Sequence, residues 1–382
     1  MNNPQHRSVL APSATTIPSS KIPPTRGNTS ICPATHSTYD YYSSSLLREL
    51  NHGSDGDATS ASTSTNFAPL SKETVGLIWL DSGGPPAAKK LGEVLREYPQ
   101  IKWVQLGLAG VNAFEQLIKS RTDIVWTSAK GSFAQPVAEH ALSLLLSLLR
   151  NIPTRVRASS WGSPSGLSLF SRHVTILGAG GITLALLALL APFEVDITIL
   201  RRKAESLEEE VLPAYYRSSA AGAGRLSVRS FKELHSVLPS SDALVLAAAL
   251  TPETHSIIGS LELSLLPKHA VLVNVARGEH VQTPALVDAL QTGVISGAGL
   301  DVTSPEPLPE DHPLWSLQRH NDADFEEELQ PDKRGNLIIT PHTADTPAMV
   351  RPLLVQRFVA NVRALRGGEG RFEGVVDPVW AY

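Results

Sequence analysis

The stretch His173-Val-Thr-Ile-Leu-Gly-Ala-Gly-Gly-Ile-Thr183 decides the fold. Its first five residues read as a strand, Gly178-Ala-Gly180-Gly181 as a tight turn, and Leu184-Ala-Leu-Leu-Ala-Leu-Leu190 as a following helix. In a dinucleotide-binding strand-turn-helix the first glycine makes the turn and the second lets the backbone approach a pyrophosphate. The helix N-terminus then supplies N–H donors and a positive dipole. The third position holds Thr183, where that pattern has Gly or Ala. The turn alone therefore fits a dinucleotide site and a plain strand-helix connection equally well. Val174 to Phe193 is also twenty residues without a charge, the length of a membrane span. Its glycines and Pro192 argue against that reading.

Toward the C-terminus, Asp196 to Leu200, Ala243 to Ala247, Ala270 to Asn274 and Leu337 to Thr340 are short apolar runs, each followed by turn residues or a helical pattern. Thr283-Pro284 predicts a helix start, with Thr as N-cap and Pro at the first position, and Gly293 predicts its end. Alternation of this kind implies a parallel sheet covered on both faces.

Toward the N-terminus, Val137 to Arg150 is helical in period and apolar on nearly all sides, which requires burial between domains or subunits. The polar stretch with Gly162, Pro164 and Gly166 predicts a domain boundary. Before it, Val75 to Leu80 reads as a strand, Pro85-Pro86 opens a helix with Leu91, Val94, Leu95 and Tyr98 at helical spacing, and Ile101 to Leu106 reads as a second strand before a turn at Ala109-Gly110. Residues 1–70 hold 22 Ser or Thr with scattered prolines and no sustained periodicity. They predict a disordered tail whose removal, through residue 65, leaves a soluble and active protein. Up to Thr38 this tail has no acid and only Arg7, Lys21 and Arg26 as strong bases, the charge balance of a mitochondrial presequence. Its six prolines in that stretch oppose the amphipathic helix such a signal needs, so a cytoplasmic location is expected.

The length of 382 residues fits two domains and a tail. With 33 Lys and Arg against 37 Asp and Glu, the net charge of -4 argues against a nucleic-acid binder that neutralises phosphates. A single cysteine, Cys32, excludes an intrachain disulfide framework and multi-cysteine zinc or iron–sulfur sites. No metal and no membrane partner is expected.

Further motifs occur in series: Trp103-Val-Gln-Leu-Gly-Leu-Ala-Gly-Val111, Val137-Ala-Glu-His140, the Gly178 turn, Thr251-Pro-Glu-Thr254, Val273-Asn-Val-Ala-Arg-Gly278, Gly299-Leu-Asp-Val302, Pro305-Glu-Pro307, His312-Pro-Leu-Trp315 and Ile338-Ile-Thr-Pro-His342. In these motifs and their order, residues 75–382 resemble the D-isomer-specific 2-hydroxyacid dehydrogenases, a family that includes glyoxylate/hydroxypyruvate reductases. The resemblance implies a Rossmann-type doubly wound parallel sheet at 152–344. It also implies a smaller flavodoxin-like α/β substrate domain at 71–151, completed by 345–382.

It further implies a catalytic triad of Arg277, Glu306 and His342, with substrate held by Arg277 and the backbone at Ala109, Gly110 and Val111. Cofactor contacts are implied at Gly178, Gly180, Gly181, Ile182, Arg201, Arg202, Ala249, Thr254, Ala276, Asp301 and His342. Read singly, Arg277 fits a surface cation, Glu306 a turn carboxylate and His342 a polar strand end. Together they suit reduction of a 2-keto acid, in which a planar cation fixes the carboxylate and a histidine supplies the proton.

By the family's spacing, Arg201 stands where NAD-binding members carry an acid, and Arg202 and Lys203 follow it, which points to NADP(H) over NAD(H). The chain departs from the family at Ala249, often Pro there, in insertions around Leu212 to Gly224 and Gln318 to Gly335, and in lacking a visible first strand before Glu73. An active reductase working as a homodimer through the Val137–Leu149 helix, a dinucleotide-dependent binding or sensor protein on the same fold, and an interaction protein working through its tail all stay open at this point.

Overall fold

The computed structural model describes residues 28–32, 70–81, 84–158, 161–204, 207, 212–216, 226–319, 336–367 and 371–379. They form two compact units: one reaches Phe133 and resumes at Thr346, and the other is Ala134–Asp345.

The first unit is a parallel sheet of β1 (Asn28–Cys32), β2 (Thr74–Trp79), β3 (Trp103–Leu106) and β4 (Val125–Thr127), paired in that order. Period-two alternation sends neighbouring side chains to opposite faces. Leu77, Trp79 and Val104 join Leu91 and Leu95 of the helix Gly84–Glu97 and Ile118 of the helix Glu115–Ser120. Ile78 and Trp103 meet Val350, Leu354 and Phe358 of the helix Pro347–Leu365, so the C-terminal helix completes this unit. A buried polar network locks it there. Trp103 Nε1 donates to Thr127 Oγ1 at 2.9 Å, and Thr127 Oγ1 and Asn361 Nδ2 both donate to Gln105 Oε1, at 2.8 and 2.7 Å.

β1 corrects the expectation of a wholly disordered 1–70. Asn28-Thr-Ser-Ile-Cys32 pairs along β2, from Asn28 opposite Thr74 to Cys32 opposite Trp79. A short, largely polar segment carries no strand signal of its own, and the backbone donors and acceptors at the edge of β2 are what recruit it. Residues 1–27 and 33–69, the presequence reading with them, and most of the two insertions lie outside the described residues.

The second unit holds β5 (His173–Leu177), β6 (Asp196–Arg201), β7 (Leu226–Ser230), β8 (Ala243–Leu246), β9 (Val271–Asn274), β10 (Gly297–Leu300) and β11 (Leu337–Ile339). All are parallel, in the order β11-β10-β9-β8-β5-β6-β7. Chain order reverses beside β5, which puts a topological switch point at the carboxyl end of β5. The uncharged Val174–Phe193 stretch divides into β5, the glycine turn, the helix Gly181–Leu190 and a short 3-10 turn. Among the described residues, no helix is long and apolar enough to cross a membrane.

Two boundaries differ from expectation. The apolar helix Ala134–Leu149 belongs to the second unit, where it packs on the helix Gly181–Leu190 and on β9 and β10. The division therefore falls before this helix and not in the polar stretch after it. Its all-round hydrophobicity is accounted for inside one unit, with Val137, Ala138, Ala141, Leu144, Leu145 and Leu148 buried, and demands no subunit partner. The helix Thr283–Gln291 has Gln282, in extended conformation, at its N-cap; Thr283 is its first residue, and its hydroxyl donates to the Ser304 carbonyl at 2.7 Å.

Deleting residues 1–65 strips β2 of one of its two partner strands, whereas deleting 1–26 leaves β1 whole. We expect the longer deletion to lower Tm by ~4–8 °C, the shift produced by about 1 kcal/mol in a domain of this size, and to promote aggregation through the bared edge. Calorimetry on the two truncations checks this, and equal Tm values would count against a structural role for β1.

Candidate active site

The carboxyl ends of β5, β6 and β8 surround the glycine turn. Gly178 has φ +111°, and a Cβ there would lie 2.6 Å from the Ala247 carbonyl oxygen, so only glycine fits. A Cβ on Gly180 would meet nothing within 4 Å, which leaves the space over the turn open. Gly180 is the N-cap of the helix Gly181–Leu190, whose first residues are Gly181 and Ile182. An open glycine cradle at a ten-residue helix N-terminus fits the pyrophosphate of a dinucleotide. Thr183, the departure from the glycine pattern, is buried and donates to the Gly178 carbonyl at 2.9 Å. Its hydroxyl reinforces the turn that it first looked set to spoil.

Arg201 ends β6, and Arg202 Nε donates to Glu253 Oε2 at 2.9 Å. Thr254 is buried, accepts from Thr251 N at 2.8 Å and donates to the Ala249 carbonyl at 2.8 Å. The Thr254 side chain thus shapes the loop after β8 from within.

Arg277 follows β9 in extended conformation, and its Nη1 donates to the carbonyl of buried Ala276 at 2.6 Å. Asn274 fixes this stretch from below: its Nδ2 donates to the Arg277 carbonyl at 2.9 Å, and its Oδ1 accepts from Ala276 N at 3.1 Å. Gly278 is required by close approach, because a Cβ would lie 2.0 Å from the carbonyl carbon and oxygen of Thr303. That approach brings the loop bearing Glu306 against the backbone at Arg277. Glu306 Oε2 accepts from Thr303 N at 3.3 Å, and Oε1 accepts from His342 Nδ1 at 2.7 Å.

His342 has φ +52°, in the left-handed region, and donates its backbone N–H to the Asp301 carbonyl at 2.8 Å. The Asp301 carboxylate is 2% exposed. It accepts from Thr340 Oγ1 at 2.6 Å, Thr343 N at 2.9 Å and Ala344 N at 3.1 Å. Thr340 gives its only proton to Asp301, so His140 Nε2, 3.0 Å away, is the donor to Thr340 Oγ1. Asp301 thus braces the His342 turn from within.

The His342–Glu306 pair is half exposed, with side-chain exposures of 50% and 42%. A pair this wet contributes only ~0–1 kcal/mol to stability, so its consequence is orientation. Nδ1 is committed to Glu306, and Nε2 is the nitrogen left for chemistry. Nearby, burial raises the Asp345 carboxyl above its ordinary range against the opposing pull of His342. Burial likewise holds His280 below the ordinary imidazole range. Its Nδ1 lies 2.9 Å from the Arg277 carbonyl and its Nε2 3.4 Å from that of Ala249.

The structure therefore pairs Glu306 with His342 and brings the Thr303 end of the Glu306 loop against the backbone at Gly278, next to Arg277, with Asp301 bracing the His342 turn. Ala109, Gly110 and Val111 follow β3 in the first unit, where Leu108 accepts from Ala129 N at 2.8 Å and Val111 precedes a 3-10 turn. Asn274, His280, Thr283 and His140 had no place among the site residues read from sequence. Each acts through a backbone carbonyl or a neighbouring hydroxyl, which residue type does not reveal. Asn274 and Gly278 flank Arg277 and were open to suspicion on position alone.

Comparison with known proteins places this arrangement. Residues 142–344 match the family model for the NAD-binding domain of D-isomer-specific 2-hydroxyacid dehydrogenases. An uncharacterized protein in the proB 3' region of Corynebacterium melassecola is 33% identical over 289 residues, covering 74% of this chain and 84% of that one. The glyoxylate reductase of Pyrococcus furiosus is 29% identical, covering 72% and 76%. A crystal structure of a D-isomer-specific 2-hydroxyacid dehydrogenase from Xanthobacter autotrophicus Py2, in complex with NADPH and MES, superposes with TM-score 0.67 at 26% identity, covering 93% of this chain and 99% of that one.

Proposed function

The chain belongs to the D-isomer-specific 2-hydroxyacid dehydrogenases, NAD(P)-dependent oxidoreductases acting on CH–OH groups, and from that premise we propose that it reduces a small 2-keto acid such as glyoxylate or hydroxypyruvate, with NADPH preferred. The observation that carries the reading is the 2.7 Å contact of His342 Nδ1 with Glu306, whose loop meets the backbone at Gly278, next to Arg277.

The roles follow from chemistry. Arg277 presents a planar donor fork that suits the substrate carboxylate and carbonyl oxygen. On the first unit, the backbone N–H groups of Ala109, Gly110 and Val111 are the proposed second carboxylate cradle. In the imidazolium form His342 donates Nδ1–H to Glu306 and Nε2–H to the carbonyl oxygen of the substrate. Glu306 takes the Nδ1 proton in a hydrogen bond and fixes the ring plane. The chemistry that a nicotinamide would supply when bound is hydride donation to the carbonyl carbon. His342 gives its Nε2 proton to the resulting alkoxide and returns to neutral imidazole, so the product is the 2-hydroxy acid. Gly178, Gly180, Gly181 and Ile182 would hold the pyrophosphate, and Ala249 and Ala276 would line the groove. Arg201 and Arg202 would meet the 2'-phosphate.

A homodimer in the cytoplasm completes the proposal. Its support is the exposed apolar set Ile152, Val156 and Trp161, which follows the helix Ala134–Leu149. Light scattering tests it, with a monomer mass ruling the dimer out.

His342→Ala should abolish turnover and leave NADPH affinity within about threefold, since the imidazole acts on the substrate; fluorescence titration that finds affinity lost in parallel would assign the residue a structural task. Arg277→Lys should lose most catalytic efficiency because a point ammonium lacks bidentate geometry, and near-normal kcat/KM in that variant would remove Arg277 from its role. For the cofactor, one charged hydrogen bond of ~1.5–3 kcal/mol corresponds to a preference of order ten- to a hundredfold for NADPH. Arg201→Asp should erase it without harming turnover at saturating NADH. Equal efficiency with both cofactors in the unaltered protein would refute the preference.

A further inference from the structure

Strand order puts two charged loops on either side of the glycine turn. β6 and β8 both pair with β5, whose carboxyl end runs into Gly178 to Gly181. Arg202 lies one residue beyond β6, and Glu253 lies in the loop after β8. The loop after β8 presses directly on the turn, as the 2.6 Å from a Gly178 Cβ to the Ala247 oxygen and 2.8 Å to Ala248 Cα require. The 2.9 Å contact from Arg202 Nε to Glu253 Oε2 therefore runs from one flank of the turn to the other, outside the end of β5.

We propose that Glu253 is a specificity-determining residue: its carboxylate competes with the cofactor's 2'-phosphate for Arg202, and so limits how strongly the site prefers NADPH over NADH. The inference rests on the proposed seating of that phosphate at the basic turn after β6. A phosphate drawn to the Arg202 guanidinium comes within a few ångströms of an existing carboxylate, and like charges at that separation repel. The ribose 2'-hydroxyl of NADH meets no such conflict, and it can donate a hydrogen bond to a carboxylate. The side chains are 27% and 54% exposed, so water screens the pair and the effect is modest. The same exposure means that replacing Glu253 strips no buried partner.

The test is isothermal titration of NADP+ and of NAD+ into the full chain, the Glu253→Gln and Arg202→Gln variants and the double variant, with Tm as a folding control. Glu253→Gln should tighten NADP+ roughly three- to fivefold and leave NAD+ within twofold or weaker. In the Arg202→Gln background the same substitution should gain less than twofold. An NADP+ affinity that is unchanged or weaker in Glu253→Gln would overturn the proposal. So would equal tightening of both cofactors, or a gain that persists without Arg202. If the unaltered protein binds the two cofactors equally while Glu253→Gln still tightens NADP+ through Arg202, the competition stands and the NADPH preference falls.

Discussion

One carboxylate almost sealed from water organises the chemistry of the second unit. Asp301 sits just past β10 and collects three donors from the segment Thr340–Ala344. Holding His342 at φ +52° costs about 1–3 kcal/mol for a residue with a Cβ. Hydrogen bonds to a charged acceptor are worth ~1.5–3 kcal/mol each, so three of them exceed that strain. The balance also runs the other way. Removing the carboxylate would leave buried donors unsatisfied at about 1–3 kcal/mol each, so the turn and Asp301 depend on each other. The exposed His342–Glu306 pair has no comparable stabilising power, and it acts by aiming a ring that Asp301 has already placed.

Glycine performs the matching task for the backbone. β10 reads Gly297-Ala-Gly299-Leu300, a composition that suggests a turn, and the sequence offered no strand there. A Cβ on Gly297 would lie 2.4 Å from the Asn336 oxygen, and one on Gly299 would lie 3.0 Å from Leu144 Cβ. The strand is glycine-rich because β11's entry and the helix Ala134–Leu149 approach its backbone. Gly278 does the same beside Arg277, and these close approaches draw residues distant in sequence into one cluster.

Much of this was legible beforehand. β5, the glycine turn and the helix after it announced themselves through apolar runs and spacing, and the motif series brought Arg277, Glu306 and His342 forward as a set. The remainder was hidden for identifiable reasons. β1 is recruited by an open edge, so its own residues carry no signal. The helix Ala134–Leu149 is apolar all round, and hydrophobicity alone cannot say which unit buries it. Thr183, Thr254 and Thr283 all spend their hydroxyls on backbone carbonyls, which a residue name leaves undetermined. Asp301 was expected to meet cofactor, but its carboxylate faces inward to the His342 turn.

The central claim is that Asp301 places His342, and single-turnover hydride transfer in Asp301→Asn tests it most directly. An amide in place of one carboxylate oxygen turns a donor toward donors, at Thr340 and Thr343 or at Ala344. The rate of NADPH oxidation in one turnover should then fall by at least about tenfold, the effect of losing one charged hydrogen bond at ~1.5–3 kcal/mol, while the Kd for NADP+ stays within about threefold. Hydride transfer at the unaltered rate, or a loss of cofactor affinity as large as the loss of rate, would contradict the account.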